Sequence, residues 1–371
     1  MRIALFSETY WPVPDGVARF LYDFKKELLR MGDSVFVFTA AGDGDFTFPA
    51  LHFVLYPQYK VAVMRTSFIE KVLRNYEVDI VHIHTPFSIG TAGYIAARRV
   101  GIPVIGTVHT NFLRMAESLQ GSRYLYQFVK LLWKFSKKLY NRCDRVTAPT
   151  SLFSEELMKM GYKKVYPTPL GIDIDKFQKD VSYKDIINKY DIEEELVYLY
   201  LGRLTLDKGI HHLIRAFKIA LSKIDACLLI GGKGPYFEKL VNLTNNLKIE
   251  KNVKFLGYVK EEDKPKLMKL SKAVILPSKA DTLGIVLLEA MASGSIAIGA
   301  NKGGIPEVIR DGETGFLFEY GDIDKLSKIL VEVAKNDYGE LKERAYHEVK
   351  KKYSIKACVE RFKGHYLSLL R

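Results

Sequence analysis

Cysteine is scarce in this chain. Three residues among 371, Cys143, Cys227 and Cys358, are scattered and odd in number. With no CxxC and no paired spacing, a disulfide framework is excluded, none of the three stands out as a nucleophile, and the cytoplasm is the default expectation. Long apolar runs are missing too, since none reaches the roughly 18 residues of a membrane-spanning helix. Residues 1–8 read as a buried first strand, too short for a signal peptide. There is no low-complexity tract, no short-period repeat, and no Walker or dinucleotide spacing. Acidic charge is in deficit: 43 Asp and Glu face 56 Lys and Arg, leaving a formal net charge of +13. The surplus is densest in residues 1–170 and has two readings. One is an anionic partner, whether phosphorylated substrate, anionic lipid or nucleic acid; the other is ordinary lysine-rich solubility.

What is present is a repeated rhythm of short apolar strand, turn and helix. In the first half the strands are expected at Ile3–Ser7, Ser34–Thr39, Leu51–Leu55, Asp79–Ile83, Pro103–Val108 and Arg145–Ala148. Helical stretches fall around 17–31, 66–75, 88–100, 123–141 and 151–160. The strands are too apolar for burial on one face, as a parallel sheet covered on both sides requires. A polar segment near Asp173–Glu195 breaks the rhythm, which restarts at Leu196–Leu201, Ala226–Ile230, Val253–Leu256, Ala273–Leu276 and Ile296–Ile298. An α/β chain of two doubly wound domains follows, residues 1–170 and 171–354, with a helical pattern over Ile355–Leu370. Ligands of such sheets bind at the carboxyl ends of the strands, which for two domains means the cleft between them.

Two segments of the second half carry chemistry. The strand Leu196–Leu201 runs into Gly202-Arg203-Leu204-Thr205-Leu206-Asp207-Lys208-Gly209, with a helix after it. A glycine turn, a helix N-terminus, a planar guanidinium and an ammonium point charge suit a diphosphate. Alone, the loop reads equally as a solvated basic turn. Further on, Asp281 and Glu289 stand eight residues apart around Gly284, which opens a helix. Asp281 falls in the preceding loop and Glu289 about one turn into the helix, so both can face one cleft. Carboxylates accept hydrogen bonds from sugar hydroxyls, and the backbone N–H groups of Thr282, Leu283 and Gly284 are placed for phosphate or hexose oxygens. Read alone, Asp281 is an N-cap candidate; with the basic loop beside it, a ligand role is preferred.

Together the GRLxxxKG loop, the acid-x7-acid segment ending in EAMASG, and Gly303-Gly304-Ile305-Pro306-Glu307 resemble glycosyltransferase family 4, retaining enzymes of the GT-B fold, over nearly the whole chain. The resemblance implies that Arg203 and Lys208 bind the donor phosphates, that Asp281 binds hexose hydroxyls, and that Glu289 binds the nucleotide ribose. Asp281 departs from the family's usual Glu, one methylene longer. In the first half, Pro12-Val13-Pro14-Asp15-Gly16-Val17 matches the glycine turn that approaches the donor diphosphate; Gly16 keeps the position, and Val17 departs from the usual second glycine. That variant is similar to the branch of lipid hexosyltransferases and related mannosyltransferases. Thr107-Val108-His109-Thr110 matches the family's active-site histidine, which implies a polar contact from His109 to the transferred sugar. The fold implies an N-terminal acceptor domain, with the helix 355–371 packing back on it, and a C-terminal nucleotide-sugar donor domain.

The implied reaction is hexosyl transfer with retention from a nucleotide-sugar, UDP-sugar favoured, by a front-side route in which the leaving phosphate helps deprotonate the acceptor hydroxyl. No cofactor and no metal are expected. Asp43-x-Asp45, Asp173-x-Asp175 and Asp322-x-Asp324 have the DxD form that binds metal in the other glycosyltransferase fold, but they sit in loops and read as turn chemistry. His82 and His84 alternate on a strand without a completing carboxylate or cysteine and read as strand-end histidines near the acceptor. Gly231-Gly232-Lys233-Gly234-Pro235 lacks a phosphate-loop spacing and is expected to shape the donor pocket's backbone.

The stretch Arg123–Arg142 sets Leu125, Phe128, Leu132, Phe135 and Leu139 on one side, widened by Val129, Trp133 and Tyr140, against Arg123, Lys130, Lys134, Lys137 and Lys138. That pattern suits a helix lying on anionic lipid, and equally a domain helix with a solvated basic back. The expected acceptor is a hydroxyl of a membrane lipid, with a soluble sugar, sugar phosphate or glycan as the alternative. The expected location is cytoplasmic, peripheral on the inner face of the membrane. A basic nucleic-acid-binding protein is the reading from another class; no aromatic–basic module supports it, and no nucleic-acid partner is expected.

Overall fold

The computed structural model describes residues 1–52, 60–110, 123–178, 182–193 and 195–370, with backbone only at residues 52, 60 and 123–126. The chain forms two compact units: Met1–Gly171 together with Ile355–Arg371, and Ile172–Ser354.

The first unit contributes β1 (Arg2–Thr9), β2 (Ser34–Ala41), β3 (Phe46–Thr47), β4 (Ala50–His52), β5 (Lys60–Ala62), β6 (Ile80–Ile83), β7 (Val104–Thr107), β8 (Arg145–Ala148) and β9 (Val165–Pro167). Seven of these make one parallel sheet in the order β3-β2-β1-β6-β7-β8-β9. Ile3–Phe6 and Ile80–Ile83 are buried throughout, the two-faced burial that continuous apolar strands require. On one face Phe6 meets the helix Ser88–Val100 so closely that a Cβ on Gly93 would lie 2.5 Å from the Phe6 ring. On the other face His82, in register with Leu5, lies against the rings of Phe24 and Phe362. Phe24 belongs to the helix Gly16–Arg30, which Asp15 caps by accepting the Val17 N–H.

Phe362 belongs to the helix Ile355–Leu370, the last element of the chain, which returns to the first unit. Phe362 and Phe24 pack edge to face at 5.2 Å. Lys363 pairs with Asp33 at 2.7 Å, and Arg361 donates to the Pro169 carbonyl at 2.9 Å. Asp33 also takes the Met1 amino group at 2.9 Å, so one buried carboxylate ties both chain ends together.

The second unit holds β10 (Val197–Leu201), β11 (Cys227–Gly231), β12 (Val253–Gly257), β13 (Ala273–Leu276), β14 (Ile296–Ala300) and β15 (Phe316–Phe318), parallel, in the order β12-β11-β10-β13-β14-β15. The helix Ile285–Ser293 carries apolar residues almost all round and is largely buried beside β13 and β14.

Three departures from the expected pattern concern edges. The strand expected at Leu51–Leu55 is described only as far as His52, its remaining residues 53–55 lying outside the described residues. It joins no parallel sheet: β4 pairs antiparallel with β5, Leu51 opposite Val61. The strands β3, β9 and β15 have two or three residues each, too short to show a period in sequence. The polar break near Asp173–Glu195 folds in part, as the short helices Asp175–Gln178 and Lys184–Tyr190. Among the described residues no helix is long and apolar enough to cross a membrane.

Because Phe362 is fully buried, its replacement by Ala should cost about 3–5 kcal/mol of unfolding free energy. Denaturant unfolding followed by circular dichroism measures it; a loss under 1 kcal/mol would mean the terminal helix adds little to the first unit.

Candidate active site

In the second unit, β10 delivers its chain into the Gly202–Leu204 turn at the carboxyl edge of the sheet. The Gly202 N–H donates to the Gly231 carbonyl at 3.0 Å and the Leu204 N–H to the Lys233 carbonyl at 2.9 Å. Gly232 packs so tightly on this turn that a Cβ there would lie 1.8 Å from the Gly202 oxygen. The glycine-rich segment after β11 is therefore a clamp on the basic loop. The Tyr200 hydroxyl adds a bond of 2.9 Å to the Arg203 carbonyl. With the backbone so held, the Arg203 side chain stands exposed.

Lys208 ends a single 3-10 turn, Leu206–Lys208, closed by Gly209 at φ 65°. A Cβ at Gly209 would fall 2.1 Å from the Pro277 carbonyl oxygen, so only glycine lets the loop lie this close to the end of β13. That approach brings the Lys208 Nζ to 2.7 Å from the Asp281 Oδ2, with the two side chains 11% and 21% exposed. Burial pushes the Asp281 carboxyl upward, but Lys208, a hydrogen bond from Ser278 and the charge of Arg203 outweigh it and hold the group below the usual carboxylate range. The backbone of Asp281 is fixed as well: its carbonyl accepts the Gly304 N–H at 2.8 Å, and Gly303 packs against it.

Asp281 is not an N-cap. The cap of the helix Ile285–Ser293 is Gly284, at φ 84°, with no side-chain hydrogen bond. Thr282 is half-buried, Leu283 is buried, and Glu289 lies buried one turn into the helix. Arg203, Lys208, Asp281, Thr282, Leu283 and Gly284 thus come from loops at one edge of one sheet, with Glu289 just behind. An ammonium with three donors can keep Asp281 and still meet an anion. Arg203 adds a fork suited to phosphate oxygens.

In the first unit, His109 follows β7 and Gly16 begins the helix after β1, again at the carboxyl edge of the sheet. A Cβ at Gly16 would meet nothing within 4 Å. Phe20, one turn along that helix, lies 5.7 Å from the His109 ring. His109 Nε2 is 2.9 Å from His84 Nδ1. Burial alone drives the His109 pKa down to about 3; burial also lowers that of His84, helped by His82 and His109. Both rings are neutral at physiological pH.

His82 needs a correction: it stands one residue before the end of β6, but its side chain is not open at that end. It lies inside the unit, its Nδ1 2.6 Å from the Tyr366 hydroxyl and its Nε2 2.7 Å from the Thr107 hydroxyl. The alternating H-x-H pattern hid this, because period-2 spacing cannot show how far along a strand the sheet is covered.

Glu8 carries no signal in sequence, and Ser278 little. Glu8, near the end of β1, is buried and accepts the Ile89 N–H at 2.8 Å, so it caps the helix Ser88–Val100; it also bonds the Thr85 hydroxyl. Burial raises its pKa to about 7 despite these bonds. In each DxD pair one carboxylate takes part in a cap, a backbone bond or an ion pair. Asp322 caps the helix Ile323–Lys335, Asp45 accepts the Val37 N–H and pairs with Lys25, and Asp173 pairs with Lys176. Among the described residues no group of three or more His, Cys, Asp or Glu is placed to hold a metal ion.

Two parallel-sheet Rossmann-like units with this loop chemistry define a GT-B glycosyltransferase. Residues 14–176 match the family model "Glycosyltransferase Family 4" and residues 182–352 match "Glycosyl transferases group 1". An alpha-monoglucosyldiacylglycerol synthase of Streptococcus pneumoniae is 31% identical over 350 residues, 89% of this chain and 78% of its own length. An N-acetyl-alpha-D-glucosaminyl L-malate synthase of Bacillus anthracis is 28% identical over 325 residues, 85% of this chain and 81% of its own. Among solved structures, HepE of Anabaena, in complex with UDP-glucose, superposes with a TM-score of 0.79 at 20% identity, each chain covered in full. The chain belongs to glycosyltransferase family 4 and is a nucleotide-sugar-dependent hexosyltransferase.

The raised pKa of Glu8 has a testable sign. Its folded value of about 7 lies above the ordinary 4.5. Stability linked to its proton is therefore full below about 4.5 and lost as pH rises through about 7. Glu8→Gln keeps an uncharged acceptor, so its unfolding free energy should improve relative to wild type as pH goes from 5 to 8. A difference that stays constant, or shrinks, over that range would rule out a protonated Glu8.

Proposed function

We propose that the protein moves a hexosyl group, with retention, from a UDP-sugar to a hydroxyl of a membrane lipid. The observation that carries the donor reading is the preformed Lys208–Asp281 pair, with an exposed Arg203 whose charge also acts on Asp281, at the carboxyl edge of the second sheet. In this reading Arg203 and Lys208 bind the diphosphate, Glu289 the ribose, and Asp281 a hexose hydroxyl, with the Thr282, Leu283 and Gly284 N–H groups facing donor oxygens. For the first unit, the acceptor domain of the proposal, Gly16 is assigned to the diphosphate and His109 to the transferred sugar.

The chemistry then rests on charge. As the glycosidic bond to phosphate breaks, negative charge builds on the departing diphosphate, and the cations of Lys208 and Arg203 stabilise it. That phosphate takes the proton of the attacking hydroxyl on the same face. A neutral His109 with a pKa near 3 fits a hydrogen-bonding role and not that of a base.

Two observations favour a lipid acceptor. The Streptococcus relative is named for a glucosyldiacylglycerol product. And the helix Arg123–Tyr140 keeps an exposed apolar line. It buries Val129, Leu139 and Tyr140 in the unit, while Leu131 and Phe135, one turn apart, stand 63% and 47% exposed beside Lys130, Lys134 and Lys138. Apolar side chains in a lysine frame suit the surface of an anionic bilayer. The protein would accordingly work as a cytoplasmic, peripheral enzyme on the inner face of the membrane. The side chains of Arg123 and Leu125 lie outside the described residues and carry no part of this. A soluble acceptor is the second reading, favoured by the Bacillus relative, which is named for a product on L-malate.

Arg203→Ala and Lys208→Ala should each lose on the order of 2–4 kcal/mol of transition-state stabilisation, measured as kcat/KM with labelled donor; near-normal turnover in both overturns the donor site. Thermal shift with UDP-, GDP- and ADP-sugars tests the base, because a ligand at 100 times its Kd stabilises by about 2.7 kcal/mol.

Flotation tests the membrane face. Binding to anionic vesicles should exceed binding to neutral ones and fall when Leu131 and Phe135 are changed to Ser. Equal, negligible binding to both vesicles removes the membrane reading.

A further inference from the structure

The glycine-rich turn after β11 does more than clamp the basic loop, because it carries a cation of its own. The strands β10 and β11 pair in register as far as Leu201 and Gly231. Beyond that point the Gly202 N–H donates to the Gly231 carbonyl at 3.0 Å and the Leu204 N–H to the Lys233 carbonyl at 2.9 Å. The register therefore runs on past the strands and sets Lys233 opposite Arg203. Both side chains are exposed, and among the described residues neither makes an ion pair or a side-chain hydrogen bond. Like charges in neighbouring register repel. The clamp does not require the arrangement, since Lys233 gives it only a backbone carbonyl.

Charge balance gives the arrangement a use. The loops after β10 and β13 hold the cations Arg203 and Lys208, and with them the carboxylates Asp207 and Asp281. Asp207 shares the 3-10 turn of Lys208 and is buried, its Oδ1 without a hydrogen-bond partner. These charges act over the same small region. Burial above all raises the pKa of the Tyr200 hydroxyl, Asp281 and Asp207 add to the rise, and Arg203 opposes it. The two carboxylates thus offset the two cations, and a locally neutral edge attracts a doubly charged diphosphate weakly. Counting Lys233 makes the local charge positive.

We infer that Lys233 is a further donor-binding residue, whose ammonium meets the diphosphate from the β11 side while Arg203 meets it from the β10 side. The inference rests on the proposed donor site and deepens it. A guanidinium gives directional, forked bonds, whereas an ammonium on a four-carbon stem follows an oxygen without a fixed plane. Lys233 supplies the surplus positive charge, and Arg203 and Lys208 fix the orientation.

Titration calorimetry on the full chain tests the inference, with UDP and GDP as probes. Uridine and guanosine, followed by ligand-detected NMR, are the phosphate-free counterparts. Lys233→Ala should weaken the diphosphate that wild type binds by about 10-fold, the effect of one bond to a charged group. Lys233→Glu should bring the loss to about 100-fold, because a carboxylate then faces the phosphates. Lys233→Arg should restore most of the affinity. The nucleoside should bind wild type and variants alike, or none of them. Lys218→Ala removes the same charge from an exposed position in the last turn of the helix Ile210–Ala220 and should change affinity less than about 2-fold. The inference is overturned by unchanged diphosphate affinity in Lys233→Ala, by an equal loss in Lys218→Ala, or by an equal loss for the nucleoside. Affinity lost in Arg203→Ala but kept in Lys233→Ala removes the third cation and leaves the proposed donor site standing. Should wild type bind neither diphosphate, the donor site itself fails and Lys233 falls with it.

Discussion

A parallel strand covered by helices on both faces has no free surface of its own, and that constraint orders the rest of the molecule. Ile3–Phe6 and Val197–Tyr200 are buried on every side. Side chains with chemistry can reach solvent only where the strands stop, and the loops after β1, β7, β10 and β13 carry Gly16, His109, Arg203, Lys208 and Asp281. Glycine makes the covering tight. Gly93 admits the Phe6 ring, and Gly106 admits Tyr140, whose ring carbon would stand 2.6 Å from a Cβ there. Larger residues would lift the helices and open the sheet faces to water.

The two units treat polarity in opposite ways. In the second, a lysine and an aspartate are both withdrawn from water and must stay together, since either alone would be an uncompensated buried charge. Their partnership depends on backbone that cannot shift. Gly209 packs on the Pro277 carbonyl, Gly303 on Asp281, and the Gly232 segment clamps Gly202. Such a site is organised before any ligand arrives, which suits a role in receiving charge that develops during reaction.

In the first unit polar groups are buried neutral instead. The apolar surroundings of His82, His84 and His109 keep these rings uncharged, and hydrogen bonds engage both nitrogens of His82, Nδ1 of His84 and Nε2 of His109. Tyr366 joins this network from the far end of the chain. The terminal helix is thus bound to the sheet by aromatic packing, by the Lys363–Asp33 pair and by a hydrogen bond to a buried histidine.

The sequence by itself determined the α/β class, the two rounds of strand and helix, and the family, because strand apolarity and the spacing of Arg203, Lys208, Asp281 and Glu289 are local properties of the chain. Tertiary structure decided everything that depends on distant residues meeting. Lys208 and Asp281 are 73 positions apart and touch only because β10 and β13 are neighbours in the sheet. His84 meets His109 because β6 lies beside β7, and His82 proved interior because a helix 284 positions away closes over it. Glu8 carried no motif at all; its burial, and the proton that burial favours, come from β1 ending against the helix Ser88–Val100. Periodicity reports which face of a strand is apolar, whereas strand order and helix return decide which polar groups share that face.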